Sequence, residues 1–324
     1  NQLQHSGHSV TKMKTPHIPI KNLKNPSFAI FSSLKGILSS NDFDIVHAFE
    51  YPLHTTDFLT LKKSQFNVPL LISTHGSLDQ FGSFPLNYLK KIHNYFMLRY
   101  KNNISSYIAC SETEKKSLIK CGIDENKILY VPLGVKTLKL DFTKRVGKNI
   151  TYIGRLTKTK NVELLIKAFA QLNNTDANLT IAGPDYGELS MLKNIVQKLK
   201  IENKVIFTGW ISEKEKIDLL SKTSIFVHPS LEDIFSLSLA ETSASGVPVI
   251  AFGGTGTSEI IIDMVTGKIV KERNLESLRD AMDYILSNPN LINKFSENGR
   301  VLTTKKYNWL QTASDLQNLY SKLI

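Results

Sequence analysis

Short apolar runs alternate with longer amphipathic stretches along most of this chain, and their spacing predicts its fold class. In the first half, Ile45-Val-His-Ala-Phe49, Val68-Pro-Leu-Leu-Ile-Ser73, Ser106-Tyr-Ile-Ala109 and Lys127-Ile-Leu-Tyr-Val131 predict strands. Between the second and third of these, Leu86, Leu89, Ile92, Phe96 and Tyr100 recur at helical intervals. They predict a helix whose apolar stripe packs on the core, with Lys90, Lys91, Arg99 and Lys101 on its outer face. The segment from Lys136 to Lys148 has poor periodicity and reads as a linker. The pattern then restarts with strands at Asn149–Ile153, Leu179–Ala182, Lys204–Phe207 and Ile225–Val227. Helices are expected from Asn161 to Leu172, Glu188 to Leu199 and Phe235 to Ser245, then in a run from Leu275 and from Trp309 to Leu323.

Strand-like and helix-like runs in alternation argue for parallel sheets with crossover helices. Two α/β domains in series are expected, at 1–140 and 147–305, with a closing segment at 306–324 that crosses back to the first. A length of 324 residues suits two ordinary domains. Hydrophobic content of 41% and charged content of 21% suit a globular enzyme. Two cysteines, Cys110 and Cys121, form no disulfide framework or metal site, which points to a reducing, cytoplasmic compartment. No run reaches the apolar length of a membrane span.

The net charge of +11 is uneven. Residues 1–148 hold 20 Lys and Arg against 10 Asp and Glu, whereas residues 149–324 hold 20 against 19. Such a field in the first half suits an anionic partner: a phosphorylated acceptor, an anionic membrane met peripherally, or nucleic acid. No nucleic-acid-binding module is present, and the aromatic residues do not interleave with the basic ones.

Chemistry concentrates in the second half. Asp233 and Glu241 stand eight residues apart in Pro229-Ser-Leu-Glu-Asp-Ile-Phe-Ser-Leu-Ser-Leu-Ala-Glu241, followed by Gly246-Val-Pro248. Gly246 suits a helix stop, with Pro248 just beyond. A strand–loop–helix unit puts free helix amides at the carboxyl end of a parallel sheet, where anionic ligands bind. Gly154-Arg155-Leu-Thr-Lys-Thr-Lys160 lies between a strand and a helix start. Its glycine permits close backbone approach, Arg155 can grip phosphate oxygens in pairs, and Lys160 adds a point charge. Asp42-Phe-Asp44 has the spacing of a metal–diphosphate motif but precedes a strand, and reads as a turn cap.

Taken together, these residues resemble the retaining glycosyltransferases of family 4. The likeness is carried by Tyr152-Ile-Gly-Arg-Leu156 with Lys160, Leu179–Gly183, Val205–Gly209, His228-Pro-Ser230 through Glu241, Ser245–Ile250 and Gly254 through Glu259. His47, Thr74-His75-Gly76, Ile108–Ser111, Val131–Val135 and Tyr307-Asn-Trp309 fit more loosely. The resemblance implies the GT-B fold, two Rossmann-like α/β/α domains facing a central cleft. It also implies transfer of a sugar from a nucleotide-diphosphate sugar to an acceptor hydroxyl, with retention of configuration and without a metal or other cofactor. The acceptor would be a glycan, a lipid-linked molecule or a small molecule, and no nucleic acid is expected as partner. Arg155 and Lys160 would hold and stabilise the departing diphosphate, with Gly154 beside them. Glu241 would accept the ribose hydroxyls, and Asp233 would touch the sugar. Amides around Phe235, Ser236 and Leu237 would bind sugar or phosphate, and His75 would reach the sugar from the opposite domain. The base would lie near Gly209, Trp210 and Ile211.

The chain departs from the family pattern in three places. Asp233 replaces the first motif glutamate, with Glu232 beside it. Val131-Pro-Leu-Gly-Val-Lys136 differs from the usual interdomain turn. Asn1 to Val10 resembles the end of the family's first helix and the start of its second strand, so the preceding strand and glycine loop are expected to be absent. Two alternative readings are a nucleotide-sugar-binding subunit with weak catalysis and a basic nucleic-acid-binding protein.

Overall fold

The computed structural model describes residues 17–19, 27–29, 43–50, 54–76, 78 and 86–324. Residues 1–10, Asp42 and the side chains of Leu86 and Leu89 therefore lie outside the description. Among the described residues, β1 (His17–Pro19) and β2 (Ser27–Ala29) form an antiparallel pair. A parallel sheet then follows in sequential order: β3 (Val46–Phe49), β4 (Leu70–Ser73), β5 (Ser106–Ala109) and β6 (Ile128–Tyr130). Helices α1 (His54–Leu61), α2 (Leu86–Met97) and α3 (Glu112–Lys120) make the crossovers that parallel neighbours require. Side chains of this sheet alternate between two apolar layers. Leu70 and Ile72 join Tyr107 and Ala109 on one face, and Leu71 and Ile108 join Val131 on the other.

Helix α2 turns a different face inward from the one its apolar stripe predicts. Asn94 and Met97 are buried, while Ile92, Phe96 and Tyr100 are exposed beside Tyr88 and Tyr95. Asn94 donates to the Leu78 carbonyl, and Met97 belongs to the cluster around Tyr107. The helix carries more apolar residues than one face can bury, and tertiary contact selects the narrower set. The expectation of a core stripe is thus corrected for Ile92, Phe96 and Tyr100.

The segment between the sheets is extended, apart from a turn at Phe142–Lys144, and does not hang free. Val135 and Leu138 are buried in the second core, and the amides of Leu138 and Asp141 donate to Ser245 and Ser221. An extended strap shows no helical period, which is why the pattern read as linker.

The second sheet is formed by β7 (Asn149–Ile153), β8 (Asn178–Ala182), β9 (Val205–Gly209), β10 (Ile225–His228), β11 (Val249–Phe252) and β12 (Gly267–Val270). It carries α4 (Val162–Phe169), α5 (Leu189–Lys198), α6 (Glu213–Lys222), α7 (Leu237–Ala244), α8 (Leu275–Leu286) and α9 (Pro289–Asn298). All its neighbours are parallel, in the order β12-β11-β10-β7-β8-β9. Strand order reverses between β7 and β10. In open parallel sheets the crevice beyond the carboxyl ends at such a reversal is where ligands bind.

The closing helix α10 (Trp309–Leu323) packs on the first sheet, with Leu316, Leu319, Tyr320 and Leu323 against Leu71, Ile108 and Val131. The Tyr320 hydroxyl meets His47 Nδ1 at 2.7 Å, and His47 Nε2 meets Ser73 Oγ at 2.9 Å. Burial, and then the neighbouring His75, hold the His47 pKa down at about 4. The turn at 131–136 passes flush against α10: a Cβ on Gly134 would lie 2.7 Å from the Trp309 Cα.

Candidate active site at the reversal of the second sheet

The carboxyl ends of three strands are laced together by glycines. Gly154 donates to the Ala182 carbonyl, and Gly183 donates to the Gly209 carbonyl at 2.7 Å. Gly183 has φ +142, and a Cβ there would lie 1.9 Å from the Gly154 oxygen. Only glycine permits this approach. Beyond β7 the chain emerges as Arg155, exposed, its guanidinium 5.7 Å from the centre of the Tyr186 ring. A short turn at Lys158–Lys160 then brings Lys160 back over the end of β10.

There Lys160 Nζ meets Asp233 Oδ2 at 2.5 Å, and His228 Nε2 meets the same oxygen at 2.7 Å. Lys160 and Asp233 are largely shielded from solvent, at 13% and 15% side-chain exposure, so this pair is not an ordinary surface ion pair. Burial works against ionisation of Asp233, but the His228 hydrogen bond and the charge of Lys160 outweigh it. The net effect holds the carboxyl below the usual carboxylate range. Burial dominates at His228 and lowers its pKa, with the Asp233 bond only partly opposing it. The ring is therefore neutral, and Nε2 carries the proton because a carboxylate oxygen only accepts. His228 Nδ1 is buried and without a hydrogen-bond partner among the described residues.

A cavity of about 310 Å³ opens here between the two sheets. His75, Cys110 and Leu133 line it from the first unit, and Arg155, Thr159, Lys160, Glu232, Asp233, Ile234 and Phe235 from the second. The two walls touch at Gly76, whose φ is +75 and where a Cβ would lie 2.3 Å from Ile234 Cγ1. Ile234 is held from behind by Gly256, whose amide donates to the Asp233 carbonyl at 2.8 Å. A second bridge joins the units: the Glu259 carboxylate accepts from the amides of Glu112 and Thr113 and from the Thr113 hydroxyl. Burial and the Glu114 charge push the Cys110 thiol upward, which keeps it protonated.

Of the residues singled out by sequence, the cavity brings together His75, Arg155, Lys160, Asp233 and Phe235. Gly154 lies one residue from it and serves strand packing. Glu241 is on α7, half-buried, with Lys216 Nζ of α6 at 2.8 Å from its carboxylate. Ser236 caps α7 through the Leu239 amide, while Leu237 is exposed. Gly209 adopts φ +70 and leads into Trp210, which is 73% exposed, and Ile211. Glu241, Gly209, Trp210, Ile211, Ser236 and Leu237 do not line the cavity around Arg155.

Sequence reasoning missed His228 as the partner of Asp233, Lys216 as the partner of Glu241, and Glu114 behind His75. His228 lies five residues from Asp233, a spacing with no helical or strand meaning because a loop closes it. Glu232, beside Asp233 in sequence, has a buried Oε2 that lacks a partner among the described residues. Among those residues no group of three or more His, Cys, Asp or Glu could hold a metal ion.

Two Rossmann-like units with a cleft between them, lined by Arg155 and Lys160, make up a GT-B architecture. The Glycosyl transferases group 1 family matches residues 142–302, and Glycosyltransferase Family 4 matches residues 2–138. The chain belongs to the family 4 type of GT-B glycosyltransferases. A glycosyltransferase of Methanocaldococcus jannaschii is 27% identical over 309 residues, covering 88% of this chain and 77% of its own. Among solved structures, HepE of Anabaena in complex with UDP-glucose superposes with a TM-score of 0.76 at 16% identity, over 90% of this chain and 82% of that one. A glycosyltransferase of Rickettsia africae gives a TM-score of 0.77 at 22% identity, over 99% of this chain and 86% of that one. At these identities the structural likenesses carry the fold alone.

Proposed function

We propose that this glycosyltransferase moves a sugar from a nucleotide-diphosphate sugar to an acceptor hydroxyl, with retention of configuration and without a metal. The observation that carries this reading is the cavity at the strand reversal, with Arg155 and Lys160 on one wall and His75 facing them. Negative charge grows on the diphosphate as the glycosidic bond breaks, and fixed cations in a shielded site stabilise that charge most. Lys160 is such a shielded cation, and the exposed Arg155 adds a second positive charge at the rim. The acceptor approaches on the face the diphosphate leaves, and a phosphate oxygen takes its proton, so no side-chain base is assigned. His75, Asp233 and the Glu232 oxygen that has no partner among the described residues stand where sugar hydroxyls need partners. Phe235 and the amides of Ser236 and Leu237 follow toward the phosphates, and Glu241 takes the ribose by exchanging its bond to Lys216. Gly209, Trp210 and Ile211 receive the base.

The test is calorimetric titration with UDP, GDP and ADP, and with UDP-glucose, UDP-N-acetylglucosamine and GDP-mannose. UDP-glucose is the first sugar probe because the HepE complex contains it. Micromolar to millimolar binding of at least one nucleotide and its sugar, with turnover, is expected. Binding without turnover would instead favour a nucleotide-sugar-binding subunit.

With Cys110 and Cys121 both free thiols, we place the protein in the cytoplasm. Its acceptor side meets anionic membrane through the exposed aromatics of α2, flanked by the Arg99 guanidinium stacked on Tyr95 and Phe96. Cosedimentation with phosphatidylglycerol vesicles is expected at low ionic strength and should fade as salt rises. Failure to bind them at low salt removes the membrane from this reading.

A further inference from the structure

Glu114 is among the most completely buried charged residues described, at 1% exposure, and none of the roles above uses it. It occupies the first turn of α3, three residues after the cap Ser111, whose hydroxyl accepts the Glu114 amide at 3.0 Å. Ser-x-x-Glu at a helix start is the spacing of a capping box, in which the glutamate returns to the cap amide. Here the carboxylate goes elsewhere. Oε2 accepts from the Cys110 amide at 2.7 Å, while Oε1 accepts from the Thr74 hydroxyl at 2.6 Å and the Gly76 amide at 2.5 Å.

Those partners flank His75, which has φ +47, followed by Gly76 at φ +75. Left-handed backbone is unfavourable for a residue with a Cβ and persists only where surroundings over-determine it. The Glu114 carboxylate takes up three neutral donors around this turn, and it makes no ion pair among the described residues. A buried carboxylate held only by neutral donors is unfavourable unless its bonds are well formed. The helix start favours it. What it secures is the placement of two residues that wall the cavity from the first unit, His75 directly and Cys110 through its amide. His75 then presents an exposed ring, parallel to Phe49 within 8° at 5.8 Å, to the side of the cavity opposite Arg155 and Lys160.

We infer that Glu114 is a positioning residue for sugar transfer: its carboxylate pins the 74–76 loop in the left-handed conformation that carries His75 to the sugar. This rests on the donor-site reading of the same cavity. The first measurement needs no substrate. In Glu114→Ala, no carboxylate remains to accept from the Gly76 amide, so hydrogen exchange there is expected to quicken about tenfold or more, with the middle of α3 unchanged. The second uses UDP and UDP-glucose. UDP affinity should stay within about twofold of wild type, because Arg155 and Lys160 are untouched. Turnover of UDP-glucose should fall about 10- to 100-fold, the scale of a misplaced catalytic contact. His75→Ala should fall as far, and the double variant no further. Thr74→Val, which removes one bond and keeps the shape, should show the same pattern more weakly and serves if Glu114→Ala does not fold. Wild-type exchange at Gly76 in these variants, or losses that multiply in the double variant, would overturn the inference. Absence of UDP-glucose binding by the wild type would count against the donor reading, and the exchange rates would still judge Glu114.

Discussion

Lys160→Ala is expected to lower turnover by about 10²- to 10³-fold, the effect of removing one preorganised donor from a developing negative charge. Lys160 is well placed for this because Asp233 already holds its ammonium at 2.5 Å, shielded from water, before any donor arrives. No reorganisation is then needed as the bond to the diphosphate breaks. The same substitution leaves Asp233 with His228 as its remaining partner. Removing one member of a shielded pair strands the other, so the melting temperature should also drop. Steady-state turnover of UDP-glucose, measured with the melting curve of the same preparation, separates the two effects. A fully folded variant within threefold of wild-type turnover would remove Lys160 from the leaving-group site.

Arg155→Ala is expected to weaken nucleoside-diphosphate binding by about 1.5–3 kcal/mol, roughly 10- to 150-fold, as for loss of a hydrogen bond to a charged group. The guanidinium makes no ion pair among the described residues and rests only over Tyr186. It is exposed and therefore hydrated, which keeps the expected effect inside that range. Its loss strands no buried partner, so stability should hardly change. Calorimetric titration of UDP reads the outcome directly, and unchanged affinity would place the diphosphate elsewhere.

Lys160 and Arg155 also show how unevenly the site can be read from sequence. Both stand in a run whose glycine, order and spacing follow from local chemistry, since a strand must end, turn tightly and start a helix. Asp233 was legible as an acid beside a helix start. Its environment was not, because His228 reaches it through a loop and Lys160 from 73 residues away. Glu241 was legible in the same way, and its bond to Lys216 was hidden for the same reason. Strands Ser106–Ala109 and Asn149–Ile153 and helix Trp309–Leu323 match their predicted bounds, since apolar period and turn residues coincide there. Helix Asn161–Leu172 shortens to Val162–Phe169, because the Gln171 and Leu172 amides bond three residues back, to Ala168 and Phe169, and end the helix in tight turns. The stripe of α2 misled because several of its apolar residues face solvent.

The sequence by itself determined the alternation of elements, the two α/β units and the residue types at the ends of β7 and β10. These follow from neighbours in the chain: side-chain period, glycine turns and helix starts. Only the tertiary structure decided which side chains share a cavity. It set His75 against Arg155 and Lys160, gave Asp233 its two partners, and turned Glu114 away from its own helix cap toward the His75 loop. Apart from the His228–Asp233 bond, which a short loop closes, these contacts join residues tens of positions apart. They exist because strand order reverses at β7 and the first unit closes over that edge, a geometry with no counterpart in local spacing.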